Sequence, residues 1–337
     1  MSVRGKVAGN RDDLVIDTSR CLRMRFSESI CQRCVAICPH GAVTLDDGLA
    51  IHTERCRGCL LCTAVCPVGA LEQSNDFTNC LAQLSRVPEP VLGCIRTKGT
   101  ANATVACLGG LSKEHLLALY HSLAGRLTIN LSLCSDCPNN PMIAELKQRL
   151  EGISAAGLSG SGCRIDIAAA AQDIRYRGEA VDRRSFFKSF RTSLFTSAAV
   201  ILTPTTEHTK RRTDYSRKRV PMRRALLNST RNKLSPELAP LLHKSFDATV
   251  SFKKNCTRCQ GCVAICPTGA LITEQPDLVP TFDYLHCTGC GLCQEFCQDQ
   301  ALEILFWLSV NRTFGLFVIN HHERRKVHAK ETSQLHS

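Results

Sequence analysis

Twenty-two cysteines in 337 residues, most of them in short runs of repeated spacing, constrain this chain more than any other feature. A fold with so many thiols must cross-link them, bury them or give them to metal. Cross-linking belongs to small secreted domains, whereas the N-terminal stretch MSVRGKVAGNRDDLVIDTSR is polar and charged, with no apolar signal region. The sequence therefore predicts an intracellular, cytoplasmic chain whose thiols stay reduced. No spanning helix is expected either. Leu194 to Leu202 is far shorter than the roughly 20 apolar residues a span needs, and Ile304 to Ile319 contains Asn311 and Arg312.

The runs repeat. Residues 31–71 and 256–302 align almost word for word around VAICP and GAL. Cys56, Cys59, Cys62 and Cys66 follow C-x2-C-x2-C-x3-C-P, as do Cys256, Cys259, Cys262 and Cys266. Cys287, Cys290, Cys293 and Cys297 keep the spacing, with Gln298 in place of the proline. A fourth copy is altered: Cys31, Cys34 and Cys38 with Pro39 supply its last three positions. Its first position falls to Cys21, which the insertion LRMRFSESI separates from Cys31.

This spacing suits a cubane core. Three thiolates two residues apart wrap one face of a 4Fe-4S cluster from a single loop, and the x3-C-P step leaves on a helical turn that proline ends. Paired zinc knuckles share the C-x2-C unit but lack the third step and the Cys-Pro ending. Both segments resemble bacterial-type dicluster ferredoxin domains, over roughly residues 21–75 and 253–305. The resemblance implies a pseudo-twofold βαββαβ fold with two 4Fe-4S clusters per domain, four in all. It also implies that the fourth cysteine of each run ligates the other cluster. The expected sets are Cys21, Cys31, Cys34 with Cys66; Cys56, Cys59, Cys62 with Cys38; Cys256, Cys259, Cys262 with Cys297; and Cys287, Cys290, Cys293 with Cys266. Without Cys21 the first set would have three thiolates and hold a 3Fe-4S core or a cluster with a non-Cys ligand.

Charge supports the same chemistry. The formal net charge is +12, but each oxidised 4Fe-4S site with four thiolates adds about −2, so four of them bring the protein to about +4.

Between the repeats, VLGC and TVAC read as short buried strands, Ser112 starts a helix, RLTINLSLC gives another strand, Pro141 opens a further helix and CRIDIAAA closes the set. This α/β pattern leaves Cys94, Cys107, Cys134 and Cys137 at strand ends, where open sheets hold ligands. The arrangement is similar to the small iron-sulfur subunit linking hydrogenases to heterodisulfide reductases. Two readings stand for these four thiols, a fifth iron-sulfur site or buried core packing. Cys80 and Cys163 are read as structural.

From Arg183 to Lys254 the chain carries 17 Lys and Arg against four acidic residues, which reads as a solvated basic linker with one amphipathic helix. The word DRRSFFKSF, with Arg183 and Arg184, resembles a twin-arginine export signal, though an internal position argues against export. A cytoplasmic ferredoxin associated with periplasmic nitrate reductase has a similar arrangement before its first cluster motif, so the word is read as a relic of fusion or a docking site for a maturation partner. Nucleic-acid binding by residues 209–224 is disfavoured, because Tyr215 is the run's one aromatic. Peripheral contact with an anionic membrane surface would use the same charges.

No Walker loop, G-x-G-x-x-G or nucleophile elbow is present. The expected fold class is α+β, with two ferredoxin-like dicluster modules flanking a small α/β domain and a basic linker. The expected boundaries are a tail over 1–20, module 1 over 21–78, the α/β domain over 79–178, the linker over 179–252, module 2 over 253–305 and a tail over 306–337. The expected function is a polyferredoxin that relays single electrons to or from a larger oxidoreductase complex, such as a molybdenum enzyme, hydrogenase or heterodisulfide reductase, rather than an enzyme on its own. One alternative is a reductase with redox-active thiols or a fifth cluster in the middle domain, and another is a basic regulatory protein with sensor clusters.

Overall fold

Short strands on either side of each cysteine repeat pair with each other, which satisfies their backbone groups and closes the repeat between them. In the computed structural model, which describes residues 13–74, 77–160, 162–176, 216–307 and 316–318, strand β1 (Leu14–Ile16) begins before the first cysteine. Helices α1 (Leu22–Arg25) and α2 (Arg33–Ala36), strands β2 (Val43–Thr44) and β3 (Ala50–Ile51), helix α3 (Leu61–Val65) and strand β4 (Leu71–Gln73) complete the first module. β1 runs antiparallel to β4, and β2 to β3. The βαββαβ order is present, with α1 as an added turn built from the insertion between Cys21 and Cys31.

Helix α4 (Phe77–Leu84) leads into a four-stranded sheet made of β5 (Val91–Cys94), β6 (Ala103–Val105), β7 (Gly125–Asn130) and β8 (Cys163–Ala168). All pairings are parallel, in the spatial order β6-β5-β7-β8. Parallel strands need covered faces and crossover connections, which α5 (Lys113–Ser122) and α6 (Met142–Ala155) provide. Leu116, Leu117 and Leu119 on α5 and Leu146 on α6 are fully buried against Leu92, Leu127 and Ile129 of the sheet. The same apolar cluster continues into Cys59, Leu60 and Leu61 of the first module, so sheet and module share one core.

The stretch expected as the end of a linker is structured. It forms α7 (Met222–Arg231), α8 (Ala239–Phe246) and β9 (Ala248–Phe252). β9 pairs with β12 (Leu302–Trp307), which also pairs with β13 (Leu316–Val318). Between them lie α9 (Gly261–Ile265), β10 (Leu271–Ile272), β11 (Thr281–Phe282) and α10 (Leu292–Phe296), with β10 antiparallel to β11. A boundary placed at the first cysteine misses β1 in one module and β9 in the other, because the closing strands precede the ligands that mark the repeat. The tail over 1–12, the arginine pair at Arg183 and Arg184, the apolar stretch 194–202 and residues 209–215 lie outside the described residues. Among the described residues no helix is long and apolar enough to cross a membrane.

Two buried charge networks fasten these parts. Arg224 on α7 is 3% exposed and donates to Asp247 Oδ1 at 2.7 Å and to the carbonyls of Phe246, Tyr284 and Leu285. Arg231 and His243 also reach Asp247, at 2.8 and 2.9 Å. The carboxylate thus has three cationic or donor partners, which offsets its burial. On the other side of α7, Arg223 meets Glu114 of α5 at 3.7 Å.

Beside that pair, His115 closes a capping box at the start of α5, its Nδ1 accepting from the Ser112 backbone N–H at 3.2 Å. That contact requires an unprotonated Nδ1. Burial, reinforced by the Arg223 and Arg149 charges against the opposing pull of Glu114, holds the half-buried ring's pKa down at about 4. In the unfolded chain the ring titrates near its ordinary value of about 6.5. The unfolded state therefore binds the proton first, and the stability present above that value is lost as pH falls toward 4. Denaturant unfolding of His115→Gln between pH 7 and 4 should lack about 2 kcal/mol of the wild-type loss, allowing for the ring's partial exposure. A wild-type-sized loss in the variant would assign it to other groups.

Candidate metal centres

Each C-x2-C-x2-C loop has to turn back on itself twice to aim three thiols at one point, and the backbone does so through left-handed residues. Gly58 and Leu60 in the second run, Arg258 and Gln260 in the third, and Gly289 and Gly291 in the fourth all have φ between 57° and 91°. Leu60, Gln260 and Gly291 directly precede α3, α9 and α10. Alternation of this kind turns successive N–H groups toward one concave side, a setting for an anionic group. For the non-glycine residues it costs about 1–2 kcal/mol each. The first run has no such residue before its second cysteine. The chain arrives there from α1, whose N-terminal cap is Cys21.

The thiols gather in crossed sets. Cys38, Cys56, Cys59 and Cys62 line one cavity, together with Leu14, Val43, Ile51 and Leu60. Cys21, Cys31, Cys34 and Cys66 line a second, together with Leu22, Leu45, Leu49 and Val68. The last cysteine of each run has crossed to the other cavity. In the second module Cys287, Cys290 and Cys293 have Cys266 as their neighbour, while Cys262 lies beside Cys256 and Cys259. Cys297 joins the same apolar cluster as Cys262. Among the described residues no group of three or more His, Cys, Asp or Glu side chains is arranged to hold one metal ion. The quartets surround cavities, as ligands of a many-atom core do.

Backbone and burial fit an anionic cluster. Ala42, Gly289 and Ala301 donate N–H bonds to the sulfurs of Cys38, Cys287 and Cys297 at 3.3, 3.4 and 3.4 Å. Such donors stabilise thiolate and tune a bound centre. Burial pushes the thiols up, Cys21 to about 11 and Cys34 to about 12 in the first module and Cys262 and Cys287 to about 11 in the second. Iron loading must therefore displace protons from these sulfurs. Of the 22 cysteines only Cys259 is exposed.

The four middle thiols also meet. Cys94 ends β5, Cys107 follows β6 by two residues, and Cys134 and Cys137 follow β7, so all stand at the carboxyl ends of neighbouring parallel strands. Cys107 lies beside Cys94 and Cys134, and Cys134 beside Cys94 and Cys137. Cys163 begins β8 at the opposite end of the sheet, and Cys80 lies buried on α4. Neither joins the four.

What the cysteine spacing did not disclose is how the parts touch. Phe26, from the insertion, meets Phe296 of α10 edge-on with ring centroids 5.4 Å apart, and Leu292 and Cys290 belong to the first module's apolar cluster. A strap of basic residues pins both modules. Arg223 donates to the Ala64 carbonyl at the end of α3 at 2.7 Å, and Lys218 donates to the equivalent Ala264 carbonyl at the end of α9. Each cation sits at the negative end of a short helix. Arg219 and the Met222 N–H hold Glu72, which Arg20 also meets at 3.2 Å. The basic run was visible in the sequence, but the carbonyl partners of Lys218 and Arg223 come from segments more than 40 residues away.

Two segments match family models described as 4Fe-4S dicluster domains, residues 29–70 and residues 249–298. The chain carries two dicluster ferredoxin domains, each binding two 4Fe-4S clusters. Among curated proteins, it is 36% identical over 67 residues to pyruvate synthase subunit PorD of Thermotoga maritima, covering 20% of this chain and 58% of that one. It is 40% identical over 58 residues to a subunit of the sulfite dehydrogenase of Allochromatium vinosum, covering 17% and 24%. The PorD of Methanothermobacter marburgensis is 35% identical over 52 residues, covering 15% and 58%. The chain spans less than two thirds of the length of each of these relatives. No solved structure matches.

Arg258 is exposed and left-handed where the second and fourth runs have Gly58 and Gly289. Replacing Arg258 by Gly should raise the midpoint of thermal unfolding by the equivalent of about 1 kcal/mol, with iron content unchanged. A lower midpoint would mean the side chain stabilises more than the strain costs.

Proposed function

We propose that this protein relays single electrons between a redox donor and a larger oxidoreductase. It would do so through four 4Fe-4S sites in two dicluster modules and a fifth iron-sulfur site in a small α/β middle domain. The observation that carries the reading is the crossing of Cys38 and Cys66 between two cavities of four thiols each. Bound clusters supply one-electron oxidation and reduction, and the chain supplies ligands, donors to sulfur and a dry surround. Cys21, Cys31, Cys34 and Cys66 hold one centre, and Cys38, Cys56, Cys59 and Cys62 the next. In the second module the sets are Cys266, Cys287, Cys290, Cys293 and Cys256, Cys259, Cys262, Cys297.

The fifth set is Cys94, Cys107, Cys134 and Cys137. The first three are buried, and the turn that follows Cys107 lies against the Cys59 loop, which supports a held cofactor over thiol exchange with an outside disulfide, since exchange needs an accessible thiolate. Partners of the relatives' kind, subunits of pyruvate synthase or sulfite dehydrogenase, join a molybdenum enzyme, hydrogenase or heterodisulfide reductase as classes to test. The strap supports a protein role for the basic stretch over nucleic acid, because Lys218, Arg219, Arg223 and Arg224 are committed within the chain.

Anaerobically purified protein should hold roughly 16 iron and 16 sulfide in the two modules, with further iron and sulfide in the middle domain. Stoichiometric zinc without acid-labile sulfide would sink the reading. Cys21→Ala should leave a labile first-module centre with a 3Fe-type EPR signal while the second-module signals persist. Iron content and spectra identical to wild type would remove Cys21 from the ligand set.

A further inference from the structure

The middle thiols and the first module meet at a surface too close-fitting to be incidental. The turn Leu108–Gly110 that follows Cys107 lies directly on the Cys59 loop. A Cβ added at Gly109 would stand 2.3 Å from the Cys59 carbonyl oxygen and 2.9 Å from Met142 Cβ. No real side chain tolerates such an approach to backbone, so glycine is required here for proximity. Arg149, 6% exposed, fixes the turn from behind by donating through Nη1 to the carbonyls of Gly109 and Leu111, both at 2.9 Å. Gln73, at the end of β4, donates to the Gly110 carbonyl at 2.5 Å.

A second clasp lies on the other side of the same thiols. Asn139, two residues after Cys137, donates to the Arg57 carbonyl at 2.9 Å and meets His40 Nε2 at 3.3 Å. Arg57 and His40 flank Cys56 and Cys38. Two of the three loops that bear middle thiols, those of Cys107 and of Cys134 with Cys137, are thus clasped to the two loops that bear Cys38, Cys56 and Cys59. Beyond them, Cys62 lies beside Cys34, and the Phe26–Phe296 contact with Leu292 and Cys290 brings the Cys31 loop to the second module. Cys293 and Cys262 then lead to the exposed Cys259.

We propose that Gly109 is the positioning residue that couples the middle-domain site to the Cys59 site, placing five redox sites in one file from the buried middle domain to exposed Cys259. The proposal rests on the fifth-site reading above. A reduced one-electron carrier protein acting at the Cys259 face loses one electron, each site in turn is reduced as its predecessor is reoxidised, and the electron resides at the middle site. No bond is made or broken. The contact at Gly109 is what keeps the last step short.

The test uses the full chain, purified and reconstituted with iron and sulfide without oxygen. Iron and sulfide are measured alongside EPR of the fully reduced protein and the rate of middle-site reduction by a reduced ferredoxin. In wild type, the middle-domain signal should be split or broadened by its first-module neighbour. Gly109→Ala should keep the iron and sulfide content, lose that magnetic interaction and slow middle-site reduction at least tenfold. Gly99→Ala, at a glycine with open space around it, should change none of the three. Arg149→Gln, which loosens the turn without a wedge, serves if Gly109→Ala does not fold, and the same two losses are expected. A wild type with no iron beyond the two modules defeats the fifth-site reading. A loaded fifth site without magnetic interaction in wild type, or interaction and rate unchanged in both variants, overturns the role of Gly109 with that reading intact.

Discussion

Each dicluster module can close only if the last thiol of one run reaches the cavity of the other. Cys38 and Cys66 exchange places in this way, and most of the first module follows from the exchange. The short helices α2 and α3 carry the chain between cavities, and β1 with β4 seals the ends. The apolar residues Leu45, Leu49, Ile51 and Val68 form a cluster that includes the ligands themselves. With strands of two or three residues, the module packs its apolar residues directly around its thiols, so any cluster those thiols hold would add its binding free energy to the stability of the fold.

The ligand-bearing parts were legible because metal chemistry imposes local spacing. The runs from Cys56, Cys256 and Cys287 could be read directly, and hydrophobic patterning placed the strand ending at Cys94 and the helix after Ser112, whereas the strand read through to Cys134 stops at Asn130. Other features were hidden for reasons of chain distance. β1 and β9 precede the first thiol of each repeat, and three apolar residues such as Leu14–Ile16 do not identify their partner. Gly109 looks like any loop glycine until the Cys59 carbonyl is found beside it. Phe26 looks like part of an awkward insertion until Phe296 meets it.

The basic stretch shows how a charge run can mislead. Read by composition it is a solvated linker, yet Arg224 is almost fully buried on Asp247 and three backbone carbonyls. Lys218 and Arg223 cap equivalent helices in two modules. Cations placed at carbonyl-rich helix ends also stand near thiolate-bound sites, where positive charge balances the negative charge that filled clusters bring. The strap is an internal counter-charge as well as a fastening.

The exposure of Cys259, alone among the cysteines, sets an order of vulnerability as well as a place of entry. Oxygen or peroxide arriving from solvent meets that sulfur first, and susceptibility to such oxidants follows thiolate access. Of the middle thiols, Cys94, Cys107 and Cys134 are buried and sheltered from such attack, whereas Cys137 is partly exposed. Oxidative damage would therefore begin at the Cys259 loop, and a partly degraded protein would keep the centres whose thiols are buried.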